Sequence, residues 1–156
     1  MGEAGTGSME VTVNKVVWSS KSEEWETPQE LFDKLDGEFA FTLDPCCTEE
    51  NRKCGKYFTK EHDGLSQDWG NETVFCNPPY GRKVGAWVEK CAESHGTTVA
   101  LLPARTDTKW FHEYIYNKAE IRFIKGRLKF GGSKNSAPFP SMVVIWRKEA
   151  NHEKAD

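Results

Sequence analysis

The stretch VFCNPPYGRKVGAWVEKCAESHGTTVALLP, residues 74–103, decides the fold. Val74-Phe75-Cys76 is a short apolar run, broken at once by Asn77-Pro78-Pro79-Tyr80-Gly81. Residues 83–94 then place Val84, Trp87, Val88 and Cys91 on one helical stripe, closed by Gly96. Residues 97–102 read as a buried strand that stops at Pro103, and a further helix is predicted over 107–119. Strand, helix, strand, helix is the pattern of a parallel sheet with right-handed crossovers.

Toward the N-terminus, Thr27-Pro28-Gln29-Glu30 reads as a helix start, with Thr as N-cap, Pro at the first helical position and Glu at N3. That helix buries Leu31, Phe32 and Leu35 and is expected to end by Gly37. Residues 39–43 read as a strand stopping at Asp44-Pro45, and 57–59 is the strand candidate before Asp63-Gly64. Toward the C-terminus, residues 121–124, 128–130 and 142–146 are β-rich, with a Gly/Ser/Pro loop and no helix between them. The α/β core is therefore expected to finish in an antiparallel hairpin. Residues 1–15 are small and polar and read as a tail; one domain is expected over 16–148, with a second tail over 149–156.

Composition narrows the function classes. The 156 residues suit one domain, and 37% hydrophobic with 29% charged residues is a polar but globular balance. Six Trp and nine Phe argue against disorder. No apolar run approaches the roughly 20 residues that span a bilayer, and the N-terminus lacks the basic-then-apolar pattern of an export signal. A cytoplasmic protein with reduced thiols is expected. Cys46, Cys47, Cys54, Cys76 and Cys91 are odd in number and lack C-x2–4-C pairs, so neither a disulfide framework nor a metal site is expected.

Charge is segregated. Residues 1–80 carry 7 Lys+Arg against 16 Asp+Glu, whereas 81–148 carry 13 against 5. Over 121–148 there are seven basic residues and no acidic one: Arg122, Lys125, Arg127, Lys129, Lys134, Arg147 and Lys148. The overall pI of 5.9 would argue against nucleic acid, but a basic third of this kind points to a phosphate-facing surface.

Asn77-Pro78-Pro79-Tyr80 carries the chemistry. Pro78 and Pro79 fix φ and donate no backbone hydrogen, so the Pro78 carbonyl is held outward beside the Asn77 amide oxygen. Two acceptors so placed can take both hydrogens of a planar amine and draw its lone pair out of conjugation. Tyr80 can stack on the ring that carries the amine. This suits attack by an exocyclic amine on an electrophilic methyl group, and needs no metal. The position after a buried strand is where α/β proteins gather ligands.

These segments together resemble the small phage-type DNA N6-adenine methyltransferases, the Dam-like family, from about Trp25 to Arg147. The matching segments are Trp25-Glu26-Thr27-Pro28, the run FTLDPC at 41–46, Asp63-Gly64-Leu65 with Gln67-Asp68-Trp69, and Asn77 to Gly81. Others are LLPARTD at 101–107 with Trp110-Phe111, RLKFGG at 127–132 and SAPFPS at 136–141. The resemblance implies an α/β, class I S-adenosylmethionine-dependent methyltransferase fold (Rossmann-like), with a reduced sheet. It implies that Asn77, Pro78, Pro79 and Tyr80 grip the target adenine amine, and that Asp44, Pro45 and Cys46 meet the methionine half of S-adenosylmethionine. Trp25, Thr27 and Pro28 resemble an N-terminal cofactor motif, and Asp68-Trp69 an acid–aromatic pair at the cofactor adenine. Asp63, or else Glu61, would bind the ribose. Where the family usually has a Gly-rich turn after the first strand, this chain has Cys46-Cys47.

The chain is too short for a separate target-recognition region, so sequence reading must fall to loops. Arg105, Arg127, Lys129, Lys134 and Asn135 are the expected contacts to double-stranded DNA, Asn135 suiting an adenine edge. The expected activity is methyl transfer to adenine N6 in DNA of a bacterial host, by a phage or prophage protein. A protein-glutamine methyltransferase is the alternative within the same chemistry, and a DNA-binding relic without catalysis the alternative outside it.

Overall fold

A computed structural model describes residues 25–148; the two expected tails lie outside the described residues. Six strands form one sheet: β1 (Leu43–Asp44), β2 (Lys56–Tyr57), β3 (Val74–Cys76), β4 (Thr98–Pro103), β5 (Glu120–Phe123) and β6 (Ser141–Trp146). Their order is β2-β1-β3-β4-β6-β5. The first four are parallel, and β6 runs antiparallel to both β4 and β5. The fold is the expected class I methyltransferase type, a reduced α/β sheet closed by an antiparallel hairpin.

Both faces are covered, which is why β4 and β6 are buried at every position. On one face lie α2 (Val84–Glu93) and α3 (Lys109–Tyr114), packed over Val74, Cys76, Ala100, Leu102, Met142 and Val144. The other face carries α1 (Gln29–Phe39) and a long loop, residues 124–140, over Phe75, Val99, Leu101, Val143 and Ile145. The period-two alternation of the strands thus supplies two cores from one sheet.

Five elements differ from expectation. α1 runs through exposed Gly37 to Phe39 and stops where Ala40 turns left-handed, with φ 56°. The Asp36 side chain then receives the Phe41 amide at 2.9 Å, so only Leu43–Asp44 of the apolar run 39–43 is strand. The second strand is Lys56–Tyr57, shifted by a residue. α3 ends at Tyr114, and residues 115–119 continue as turns. Residues 128–130 are not a strand; the next residue, Gly131, makes an isolated antiparallel bridge with Glu26.

The chain passes from β1 to β2 on one side and then crosses to β3 on the other. Strand order therefore reverses between β1 and β3, and the carboxyl ends of these strands are the switch point at which open α/β sheets take ligands in a crevice. Asp44-Pro45 leaves one lip of it and Asn77 the other. Among the described residues no helix is long and apolar enough to cross a membrane, and no His/Cys/Asp/Glu group is placed to hold a metal.

Candidate active site

Asn77 follows β3 directly, and its side-chain amide is held in one orientation. Nδ2 donates to the backbone oxygen of Trp25 and, at 2.9 Å, to Thr27 Oγ1. Oδ1 is buried and has no hydrogen-bond partner among the described residues. A buried acceptor left unmade costs about 1–3 kcal/mol. Native proteins rarely leave one without cause. Here the unmade bond sits at the switch point of the sheet, so a ligand donor is its natural partner.

Tyr80 is pinned at both ends of its ring. Its hydroxyl donates to the Leu101 backbone oxygen at 2.8 Å, and burial raises its pKa well above the ordinary value. Its ring meets Phe139 and Phe130 edge-on, with centroids 5.6 and 6.4 Å away. Trp25 in turn stands edge-on to Phe139 and Phe130, at 5.2 and 5.4 Å. These four rings join three distant segments beside the Asn77 amide: the Trp25–Pro28 motif, the Asn77–Tyr80 motif and the 124–140 loop. The Gly131 amide also donates to Glu26 oxygen at 2.9 Å, which closes the loop onto the N-terminal motif.

The opposite lip is built around Asp44. Its carboxyl is buried and accepts from the Lys53 amide at 3.0 Å and the Cys46 amide at 3.3 Å. Burial raises its pKa from the ordinary 3.8 to about 6, against the opposing effect of those amides. The carboxyl thus organises its own loop. Burial likewise pushes the Cys54 thiol up to about 12 and raises the Cys47 and Cys76 thiols, so these thiols stay protonated.

The following segment folds back onto the same tip. The Phe58 amide donates to Asp44 oxygen at 2.9 Å, and Gly64 lies so close to Pro45 that a Cβ there would sit 2.0 Å from the Pro45 oxygen. Gly64 therefore packs backbone against backbone at the tip of β1. Exposed Glu61, Asp63 and Asp68 are carried in this segment, Asp68 receiving the Gly70 amide at 2.8 Å. Trp69 is buried beneath, its Nε1 donating to Gly64 oxygen at 2.9 Å and its ring stacked near Trp87.

The basic third divides in two. Arg122 makes a two-pronged bond to Glu38, both contacts at 2.8 Å, and Arg147 pairs with Glu120 at 3.0 Å. Lys148 donates to Ala92 oxygen at 3.0 Å. These three of the seven cations are held by the protein itself. Lys125, Arg127, Lys129 and Lys134 are exposed on the 124–140 loop, with no ion pair among the described residues. Asn135 is exposed at the loop tip, where it exchanges hydrogen bonds with Ser133, and Arg105 lies 6.0 Å from the Phe139 ring.

The family model described as DNA N-6-adenine-methyltransferase (Dam) matches residues 15–154. The chain belongs to this family. A DNA N-6-adenine-methyltransferase of Escherichia phage T1 is 38% identical over 109 residues, covering 67% of this chain and 45% of that protein. One of Haemophilus phage HP1 (strain HP1c1) is 30% identical over 137 residues, covering 81% and 79%. The chain thus spans under half the length of the first relative and about four fifths of the second.

In this Dam-family chain the fold gathers Trp25, Thr27, Asn77 and Tyr80 on one lip of the crevice. Asp44, Pro45, Cys46 and Asp63 gather on the other. Asp68 is at the surface and Trp69 in the core beneath that lip. Sequence reasoning gave no role to Phe130, Phe139 or the Leu101 carbonyl, which fix Tyr80. The matched segments RLKFGG and SAPFPS contain both Phe residues, so the signal was present without a geometry to interpret it.

Proposed function

We propose that this protein transfers a methyl group from S-adenosylmethionine to the N6 amine of an adenine in double-stranded DNA. The observation that carries the reading is the Asn77 amide: oriented through its nitrogen, with its oxygen buried and unpartnered at the crevice. The donor set of the opposite lip suits the cofactor. Glu61, Asp63 and Asp68 are acceptors for hydroxyl and amino groups, on a segment anchored to the Asp44-Pro45 tip. When bound, S-adenosylmethionine supplies a methyl group on cationic sulfur, which leaves as a neutral thioether.

The protein's own part is to hold and polarise the amine. Asn77 Oδ1 accepts one amine hydrogen, and the Pro78 carbonyl, held by consecutive prolines, accepts the other. The nitrogen lone pair, drawn out of conjugation, would be free to take up the methyl group that the bound cofactor supplies, and the excess amine proton would be shed to solvent. A stacked base in a duplex does not reach the crevice, so the adenine is extruded. Tyr80 supplies the aromatic face for it, with Phe130 and Phe139 packed behind. Four cations on the 124–140 loop, with no ion pair among the described residues, favour a polyanion over a protein glutamine as substrate. Two of the relatives are phage proteins, which favours the cytoplasm of a bacterial host as the place of action.

Asn77→Ala is the test. Loss of one preorganised hydrogen bond in a site of this kind costs about 3 kcal/mol, a hundredfold or more in rate. Single-turnover methylation should fall by that factor while cofactor affinity, measured by calorimetry, stays near wild type. Near wild-type methylation in this variant would end the assignment.

A further inference from the structure

The Thr27 hydroxyl is committed to Asn77 and not to the helix it precedes. α1 begins at Gln29 with Pro28 at the cap, and no side chain caps it. Thr27 is 4% exposed, and its Oγ1 lies 2.9 Å from Asn77 Nδ2, its partner from fifty residues away. The other Nδ2 hydrogen goes to the Trp25 carbonyl. An amide with both donors taken exchanges its oxygen and nitrogen only by breaking both bonds. The exchanged amide would set two donors against the hydrogens of a target amine, and its oxygen against the Trp25 carbonyl, which can only accept, leaving the Thr27 hydroxyl to turn and donate. Which atom of Asn77 meets the substrate is therefore decided by the 25–27 segment.

We propose that Thr27 is a positioning residue for methyl transfer. Its hydroxyl oxygen, together with the Trp25 carbonyl, holds the Asn77 amide so that Oδ1 faces the target amine. This rests on the reading of Asn77 given above, and it departs from the cofactor contact that the family resemblance assigns to Thr27. Of the two holding atoms, only the Thr27 oxygen can be altered by substitution. Ser keeps that acceptor, whereas Val keeps the shape and removes it.

Thr27→Val, Thr27→Ala, Thr27→Ser and Asn77→Ala should be compared in three measurements. These are single-turnover methylation at saturating cofactor, cofactor affinity by calorimetry, and the Asn77 side-chain amide signals in nitrogen-15 spectra of the full chain. The rate with Thr27→Val should fall about tenfold, the order expected for one lost hydrogen bond. Cofactor affinity should stay within twofold, and the Asn77 amide protons should exchange faster with water. Thr27→Ser should recover most of the rate and the slow exchange. Wild-type rate in Thr27→Val or Thr27→Ala would overturn the proposal. So would a loss explained wholly by weaker cofactor binding, or a Thr27→Ser as slow as Thr27→Val. If Val does not fold at this site, Ala against Ser gives the same contrast. Asn77→Ala at wild-type rate would sink the reading of Asn77 itself; an inactive Asn77→Ala beside a fully active Thr27→Val sinks only the role of Thr27.

Discussion

Asp44→Asn should remove a pH dependence that the buried carboxyl imposes on the fold. Burial lifts the Asp44 pKa from 3.8 to about 6. The native state therefore holds this proton more tightly than the unfolded chain, and binds more protons between roughly pH 4 and 6. Stability contributed by the protonated carboxyl is complete below that window and is lost as pH rises through it. Two pKa units at about 1.36 kcal/mol each give a loss of about 3 kcal/mol. Glu38, Glu61, Glu72 and Glu120 have lowered pKa values and act in the opposite sense, so the wild-type profile alone mixes both. Subtraction isolates Asp44. Urea unfolding of wild type and Asp44→Asn, followed by Trp fluorescence from pH 4 to 7.5, should show the variant gaining about 3 kcal/mol on wild type across the series. A constant offset is expected as well, since the single oxygen of Asn serves the Cys46 and Lys53 amides less well than two. Parallel profiles would refute the buried-carboxyl reasoning.

Two further outcomes follow from other segments. Gly64→Ala puts a Cβ 2.0 Å from the Pro45 oxygen, where backbone must move; it should cost about 1–3 kcal/mol in thermal or urea unfolding, and an unchanged midpoint would show a looser tip. Changing Arg127 and Lys129 together to Gln should flatten the slope of log K against log salt for DNA binding by roughly 1–2. Arg122→Gln should leave it unchanged, because Glu38 and Glu120 already hold that guanidinium; equal effects of both would place DNA elsewhere.

The core of the fold was readable because its signals are local and mutually consistent. Residues 74–103 give strand, helix and strand, with a sheet buried on both faces and turn residues at each break. The start of α1 was misplaced by a residue because Thr27 obeys a partner fifty positions away, which capping rules cannot see. Residues 128–130 alternate in burial as a strand would, with Leu128 half-buried and Phe130 buried between exposed Arg127 and Lys129. They lack a neighbouring strand, so the alternation reported burial and not a hydrogen-bonded ladder. The basic third holds fewer free cations than its sequence suggests for a similar reason: Glu38 is 84 residues from Arg122, and Glu120 is 27 from Arg147, so these pairs form only after folding. At the site, the residue types of Asn77–Tyr80 identified the chemistry, whereas the orientation of the amide and the four-ring cluster emerged only from tertiary contacts.

The 124–140 loop has an evolutionary consequence. Its anchors, Phe130, Ala137 and Phe139, are buried in the core, whereas Lys134, Asn135 and Ser136 project into solvent between them. Selection can exchange the projecting residues without touching the rings that steady Tyr80, because surface changes of this kind alter stability little. The loop is in effect a replaceable cassette on a fixed mount. Diversification of its tip can proceed one substitution at a time, each intermediate retaining a folded protein and an intact Asn77–Thr27 contact.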